Sequence, residues 1–302
     1  MVIFQQVFIL FVFVAIGYLL CKRKLVSFEN SKILSALLVY VFLPFSTFKT
    51  FANNFTAEYI SKKYYLIIIS LIFVFTISFL GNLLGKVITK DKYERNIYEY
   101  SLVVSNYAYM GYPLAESLLG QDGLMNVMIF AIPVTVYIYT VGFARLTKSN
   151  MKLKNLLFSP VLIAIVLGAI VGLAEISVHG TVTTILNNAS NCMGPVGMLL
   201  MGTVIAEFDF KSIIKNKNIY IVTFLRLIVI PAVTGGILSI SGNREIVQTA
   251  VMFSALPCGL NTVIFPKLVD ENCKPGAGLA VVSNLLGCIT IPVMLSLFGG
   301  GI

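Results

Sequence analysis

Two stretches decide the fold of this chain: SNYAYMGYP at residues 105–113 and LPCGLNT at residues 256–262. Each places glycine and proline inside a long apolar run that would otherwise form one continuous helix. Proline removes a backbone donor and its ring clashes with the preceding turn, so we expect both helices to break here. In a membrane, broken backbone is tolerated only where protein or a water-filled cavity satisfies its polar groups. A matched pair of breaks in the two halves of a chain therefore predicts a transport site.

The composition is that of an integral membrane protein. Of 302 residues, 58% are hydrophobic and only 12% are charged, far below the roughly 25% of soluble domains. Apolar runs recur along the whole length. The net charge of +9 comes mostly from loops between these runs, so we expect a lipid bilayer and no nucleic acid as partner. The five cysteines are scattered without a C-x-x-C pair, so neither a metal site nor another cofactor is predicted.

The apolar runs predict ten membrane spans, each near the ~20 residues that a bilayer requires. The predicted spans are 3–20, 33–51, 64–88, 97–119, 124–146, 156–175, 183–206, 218–240, 246–269 and 277–298.

Basic residues concentrate in alternate loops, which hold 17 of the 22 lysines and arginines. The positive-inside rule makes these loops cytoplasmic. Both termini of this multi-pass protein of the cell membrane are then external, and an even number of spans, which places both termini on the same side, agrees with this. The 17 residues are Lys22, Arg23, Lys24, Lys32, Lys86, Lys90, Lys92, Arg95, Arg145, Lys148, Lys152, Lys154, Lys211, Lys215, Lys217, Lys267 and Lys274.

The spans divide into two halves, residues 1–150 and 151–302. Five spans per half is an odd number, so the second half must insert upside down relative to the first. Prolines recur at corresponding places, in spans two and seven and in spans five and ten. This is the inverted-repeat pattern of secondary transporters.

Four motifs in order resemble those of the auxin efflux carrier family, which includes plant PIN auxin exporters and bacterial malate and malonate permeases. One difference from PIN-type exporters is that Asn261-Thr262 stands where they have a second proline. The long cytoplasmic loop of many plant members is also absent. The motifs are Asn106-x-x-x-Met110-Gly111-x-Pro113, Gly197-Met198-x-x-x-Gly202, Arg226-x-x-x-x-Pro231, and Leu256-Pro257-x-Gly259 followed by Phe265-x-Lys267.

The resemblance implies an all-α fold in which spans four and nine break and cross at mid-membrane, as in bile-acid symporters and NhaA-type antiporters. It implies a scaffold domain of spans one, two, six and seven. Spans three to five and eight to ten would form a transport domain that carries a small organic anion by an elevator movement. A second copy of the chain is a candidate partner.

The breaks themselves predict an anion site. Unpaired N–H groups at a half-helix N-terminus attract carboxylates without a permanent cation. Asn106 would donate its amide to the carboxylate, as the resemblance also implies, or would join neighbouring helices. Asn261 is its repeat-related partner, with a backbone tie as the alternative. Tyr109 would line the pocket or pack against a neighbour. The remaining break residues, Gly111, Pro113, Pro257 and Gly259, would shape the crossing, with Gly111 and Gly259 beside substrate.

Two of the ionisable residues in predicted spans, Glu116 and Arg226, are singled out as functional candidates. Glu116 could carry a proton or cation, or could sit at the outer interface, since Gly120 and Asp122 follow closely. We expect no other acidic residue to be a plausible candidate near the crossing. Arg226 would pair with a carboxylate or extend toward the cytoplasmic surface.

Other function classes fit less well. A zinc protease needs H-E-x-x-H, which a chain with one histidine cannot form, so no enzyme is predicted. A channel would show repeated filter residues or charged rings. A sodium-coupled symporter of the bile-acid type and a sensor on a transporter fold remain as alternatives. The sequence leaves open which acid is carried, malate, malonate, another carboxylate or an indole acid, and also the direction and coupling of transport.

Overall fold

The computed structural model describes residues 2–27, 31–148, 158–207, 216–267, 269 and 271–299. Within these residues the secondary structure is helical except for one isolated β-bridge. The α-helices are α1 (Val2–Lys22), α2 (Ser31–Leu37), α3 (Leu43–Asn54), α4 (Ala57–Lys63), α5 (Tyr65–Ile88), α6 (Lys92–Val103), α7 (Tyr112–Tyr137), α8 (Phe143–Leu146), α9 (Pro160–Leu173), α10 (Thr181–Glu207), α11 (Lys217–Phe224), α12 (Ile230–Ser239), α13 (Arg244–Ser254), α14 (Asn261–Lys267) and α15 (Lys274–Phe298).

Four wider, π-helical turns join neighbouring helices into longer runs or, at the start of α7, extend one helix. They are Leu38–Phe42, Tyr107–Gly111, Ile138–Gly142 and Leu225–Val229. In the described part of the chain, seven runs are long and apolar enough to cross a membrane, which confirms an all-helical, multi-pass membrane protein. These runs are Ile3–Lys22, Ile33–Asn54, Tyr65–Ile88, Tyr107–Leu146, Thr181–Glu207, Lys217–Ser239 and Lys274–Phe298.

Both sequence stretches interrupt their helices. α6 ends at Val103 and the next helical turn begins at Tyr107, while α13 ends at Ser254 and α14 begins at Asn261. The loop expected at residues 120–123 is instead a sharp bend, because only Gly120 leaves the helical conformation, with φ 71° and ψ −167°. A residue without a Cβ adopts this backbone at little cost, so a single glycine replaces the loop.

Close glycine contacts hold one group of helices together. A Cβ at Gly17 would lie 2.2 Å from the Leu199 carbonyl oxygen, and one at Gly202 would lie 2.1 Å from that of Val14, so α1 and α10 pack backbone to backbone. Gly172 lets α9 approach α3 in the same way. Small residues permit such close helix contacts in membranes. We call α1, α2, α3, α9 and α10 the scaffold group.

The remaining long helices pack around an aromatic core. The rings of Phe130 and Tyr107 both lie 5.2 Å from the ring of Phe253, and Phe73 lies 6.0 Å from it. These side chains come from α5, α7, α13 and the turn before α7, so the core joins the two interrupted helices. We call α5–α8 and α11–α15 the crossing group.

Candidate substrate site

The two interruptions pair with each other through backbone atoms. The Asn106 N–H donates to the Pro257 carbonyl oxygen at 2.8 Å, and the Gly259 N–H donates to that of Val104 at 3.3 Å. Ser105 and Cys258 face each other between these bonds in an antiparallel bridge. Buried backbone N–H and carbonyl groups need hydrogen-bond partners, and here each break supplies such partners to the other.

Glycine and proline give this crossing its shape. A Cβ at Gly111 would lie 2.5 Å from Leu256 Cδ1, and one at Gly259 would lie 3.2 Å from the Ser105 carbonyl oxygen. Pro257 lies in the extended segment and supplies a carbonyl to the bridge. Pro113, which has no backbone N–H, lies in the first turn of α7, directly after the wider turn Tyr107–Gly111.

A cavity of about 880 Å³ lies beside the crossing, between the scaffold group and the crossing group. Of the predicted site residues, Asn106, Tyr109, Gly259 and Asn261 line it, whereas Gly111, Pro113, Pro257 and Glu116 do not. Among its described lining residues none is charged, and its polar side chains carry amides and hydroxyls. The cavity therefore offers hydrogen-bond donors without a fixed ion.

Asn106 carries the one side-chain amide in this described lining that has no partner. The residue is 2% exposed. Its backbone carbonyl oxygen accepts from the N–H groups of Met110 and Gly111, but its side-chain Nδ2 has no hydrogen bond to any described residue. A buried polar group left unpaired costs about 1–3 kcal/mol. This donor lies beside the start of a long helix, and an acceptor atom of a ligand would satisfy it.

Asn261 is placed differently. Its Nδ2 donates to the Tyr100 hydroxyl at 3.0 Å, and Tyr100 is itself buried in α6. The side chain thus ties the start of α14 to the end of α6 while still lining the cavity. The two asparagines are therefore not equivalent, although both flank the crossing.

Tyrosines form much of the cavity wall. Thr135 donates its hydroxyl to the Ala131 carbonyl, so the 2.9 Å contact with Tyr107 must have the tyrosine as donor. Tyr109 packs against α10, where a Cβ at Gly197 would lie 2.8 Å from Tyr109 Cβ. Tyr109 is thus a point at which the crossing group touches the scaffold group.

The structure corrects the expectation for Arg226. This fully buried side chain has no described carboxylate within 4 Å, nor does it extend to a surface. Its Nε donates to the Leu256 carbonyl at 3.1 Å, Nη1 to that of Leu102 at 2.8 Å and Nη2 to that of Phe253 at 3.4 Å. The last carbonyls of a helix lack partners and favour a cation, so Arg226 serves the ends of both α6 and α13.

Two acidic residues of predicted span four form ion pairs. Glu116 is partly exposed, contacts Gln121, and has Oε1 3.9 Å from Lys49 Nζ. Glu99 in α6, which the sequence analysis did not single out, is a buried carboxylate paired with Arg145. Its place inside predicted span four was the signal that could have found it.

A helical membrane protein whose two interrupted helices cross beside an uncharged polar cavity has the build of a membrane transport protein. A family model described as "Membrane transport protein" matches residues 2–156 and 145–295. The chain belongs to this family, the auxin efflux carrier family.

Two relatives agree with this assignment. An uncharacterized transporter of Methanocaldococcus jannaschii is 23% identical over 304 residues, covering 96% of this chain and 97% of its own. An uncharacterized transporter of Methanothermobacter thermautotrophicus is 21% identical over 193 residues, covering 62% of this chain and 63% of its own.

Proposed function

We propose that the protein is a secondary transporter that moves a small organic anion, a carboxylate such as malate, malonate or an auxin-like acid, across the cytoplasmic membrane. The observation that carries the proposal is that Asn106 lines an uncharged cavity and that its Nδ2 has no hydrogen-bond partner among the described residues. A carboxylate oxygen accepts hydrogen bonds and supplies the partner that this amide lacks.

The helix that starts at Tyr107 supports an anion at the same place. The first N–H groups of a helix have no intrahelical acceptor, and the helix end carries roughly half a positive charge. Such an end contributes about 0.3–2 kcal/mol to binding an anion. Together with one amide, this binds a carboxylate firmly enough to position it and weakly enough to release it.

The packing supports an elevator movement on a ten-span inverted repeat. In this proposal the scaffold group is spans one, two, six and seven, and the crossing group is spans three to five and eight to ten. Val39, Leu200 and Val204 line the scaffold side of the cavity, whereas Asn106 and Gly259 line the crossing side. An elevator requires a site that is held by the moving group and faces the static one, and this cavity has that arrangement.

The position of the cavity supports a cytoplasm-facing state. Its lining includes Ser35, Phe143, Pro160 and Phe265, which lie at helix ends leading to the basic loops. With both termini external, these loops are cytoplasmic. We therefore propose that this conformation exchanges ligand with the cytoplasm.

Uptake into proteoliposomes tests the proposed function. The probes are radiolabelled malate, malonate and indole-3-acetate, each assayed with and without sodium and with and without a pH gradient. We expect saturable uptake of at least one acid that Asn106→Ala reduces. The matched control is Asn284→Ala, because Asn284 is also buried but donates to Ala280 of its own helix and does not line the cavity.

The same assay separates the alternatives. Uptake that requires sodium would favour a symporter of the bile-acid type. Binding of an acid without any flux would favour a sensor. Uptake that Asn106→Ala and Asn284→Ala reduce equally would refute the crossing as the substrate site.

A further inference from the structure

We propose that Arg226 sets the preference of the cavity for anions, although it does not line the cavity. This inference rests on the proposed function and assigns the source of its charge selectivity. The buried guanidinium cancels the partial negative charge at the C-terminal ends of α6 and α13. The positive end of the helix that starts at Tyr107 then dominates the electrostatic field at the substrate site.

The geometry places Arg226 at the C-terminal ends of both α6 and α13, which carry partial negative charge. Leu102 lies in the last turn of α6 and Phe253 in the last turn of α13, while Leu256 follows in the second break. The guanidinium donates to the carbonyl oxygens of all three. One side chain thus binds the C-terminal ends of both interrupted helices.

The guanidinium charge of Arg226 balances the partial charges of the two helix ends. Each helix C-terminus carries roughly half a negative charge, so the two ends together carry about the opposite of one guanidinium. Arginine stays protonated in proteins, and no described carboxylate lies within 4 Å of Arg226 to cancel it. The positive end at Tyr107 and the Asn106 donor then face the cavity without a competing negative end.

Arg226 is close enough to act on a ligand at Asn106. Its Nε lies 3.1 Å from the Leu256 oxygen, and the oxygen of the next residue, Pro257, lies 2.8 Å from the Asn106 nitrogen. With one peptide step of about 3.8 Å between them, the charge lies on the order of 10 Å from the ligand. Coulomb's law at an effective dielectric constant of about 20 gives roughly a tenfold effect on affinity.

The experiment compares each acid with its neutral amide. Purified variants are titrated with malonate and malonamide, and with indole-3-acetate and indole-3-acetamide, and the anion-to-amide affinity ratio is measured. We expect Arg226→Gln, which retains donors but loses the charge, to lower this ratio about tenfold. Arg226→Lys retains the charge and should keep the ratio, even if it lowers the affinity for both ligands.

A second pair of variants tests the charge with Arg226 in place. Ser254 follows Phe253, and its buried hydroxyl has no partner among the described residues. Ser254→Asp introduces a carboxylate one residue after the Phe253 carbonyl that Arg226 binds. It should lower the ratio as Arg226→Gln does, whereas Ser254→Asn should not. If Arg226→Gln fails to fold, this pair of variants tests whether the charge of Arg226 sets the preference for anions.

The outcomes separate the two proposals. A wild-type ratio near one would overturn both the anion assignment and the role of Arg226. A wild-type ratio well above one that persists in folded Arg226→Gln or Ser254→Asp would overturn the role of Arg226 alone, leaving it as a structural tie.

Discussion

Asn106→Ala should separate stability from binding. The Asn106 amide is buried without a partner among the described residues, so its removal relieves a penalty of about 1–3 kcal/mol. The small cavity that alanine leaves offsets part of this gain. We therefore expect the melting temperature of the ligand-free variant to stay the same or rise. The variant should nevertheless lose a hydrogen bond to a charged ligand, which contributes about 1.5–3 kcal/mol.

This loss corresponds to roughly a ten- to hundredfold lower affinity, measured by calorimetric titration of the purified protein. Asn284→Ala provides the opposite pattern, because it breaks the 2.7 Å bond to Ala280 and leaves the cavity untouched. It should lower the melting temperature and leave affinity unchanged. Asn106→Asp should bind the acid worse than alanine does, because two negative charges would face each other. An Asn106→Ala variant that melts earlier, as Asn284→Ala should, and binds the acid with wild-type affinity would refute the role given to this amide.

Three further predictions test other parts of the structure. Pro257→Ala should let α13 extend into the break, and transport should fall while the amount of protein in the membrane stays constant; unchanged transport would count against the interrupted helix. Gly202→Ala should destabilise the contact between α1 and α10, since its Cβ would lie 2.1 Å from the Val14 oxygen, whereas Gly236→Ala, with nothing within 4 Å, should not lower the melting temperature. Burial alone would raise the pKa of Glu245, but hydrogen bonds from Lys63 and Asn126 and the Lys63 charge hold that pKa below its usual value. Because the pKa is lowered on folding, this contribution to stability is present at neutral pH and is lost as the pH falls through the acidic range; Glu245→Gln should flatten the acid side of a melting-temperature profile.

The sequence predicted those features of the fold that depend on residues close to each other in the chain. Apolar runs and prolines located the helices and both interruptions, since each effect acts within a few residues of its cause. It did not predict the partners of Arg226, because Leu102 and Phe253 offer only backbone carbonyls, which no residue type reveals. Glu99 and Arg145 lie 46 positions apart, and their pairing depends on how α6 and α8 pack. The sequence also predicted a loop at residues 120–123 where the structure has a bend at Gly120, because glycine is typical of both.

The pairing between the two breaks uses backbone atoms alone, from Val104, Asn106, Pro257 and Gly259. Backbone hydrogen bonds do not depend on which side chains surround them, provided that glycine and proline keep their places. Side chains that face the cavity, such as Tyr109, can therefore change during evolution without disturbing the joint between the halves. Related transporters can in this way diverge in their substrates while they keep the same backbone crossing.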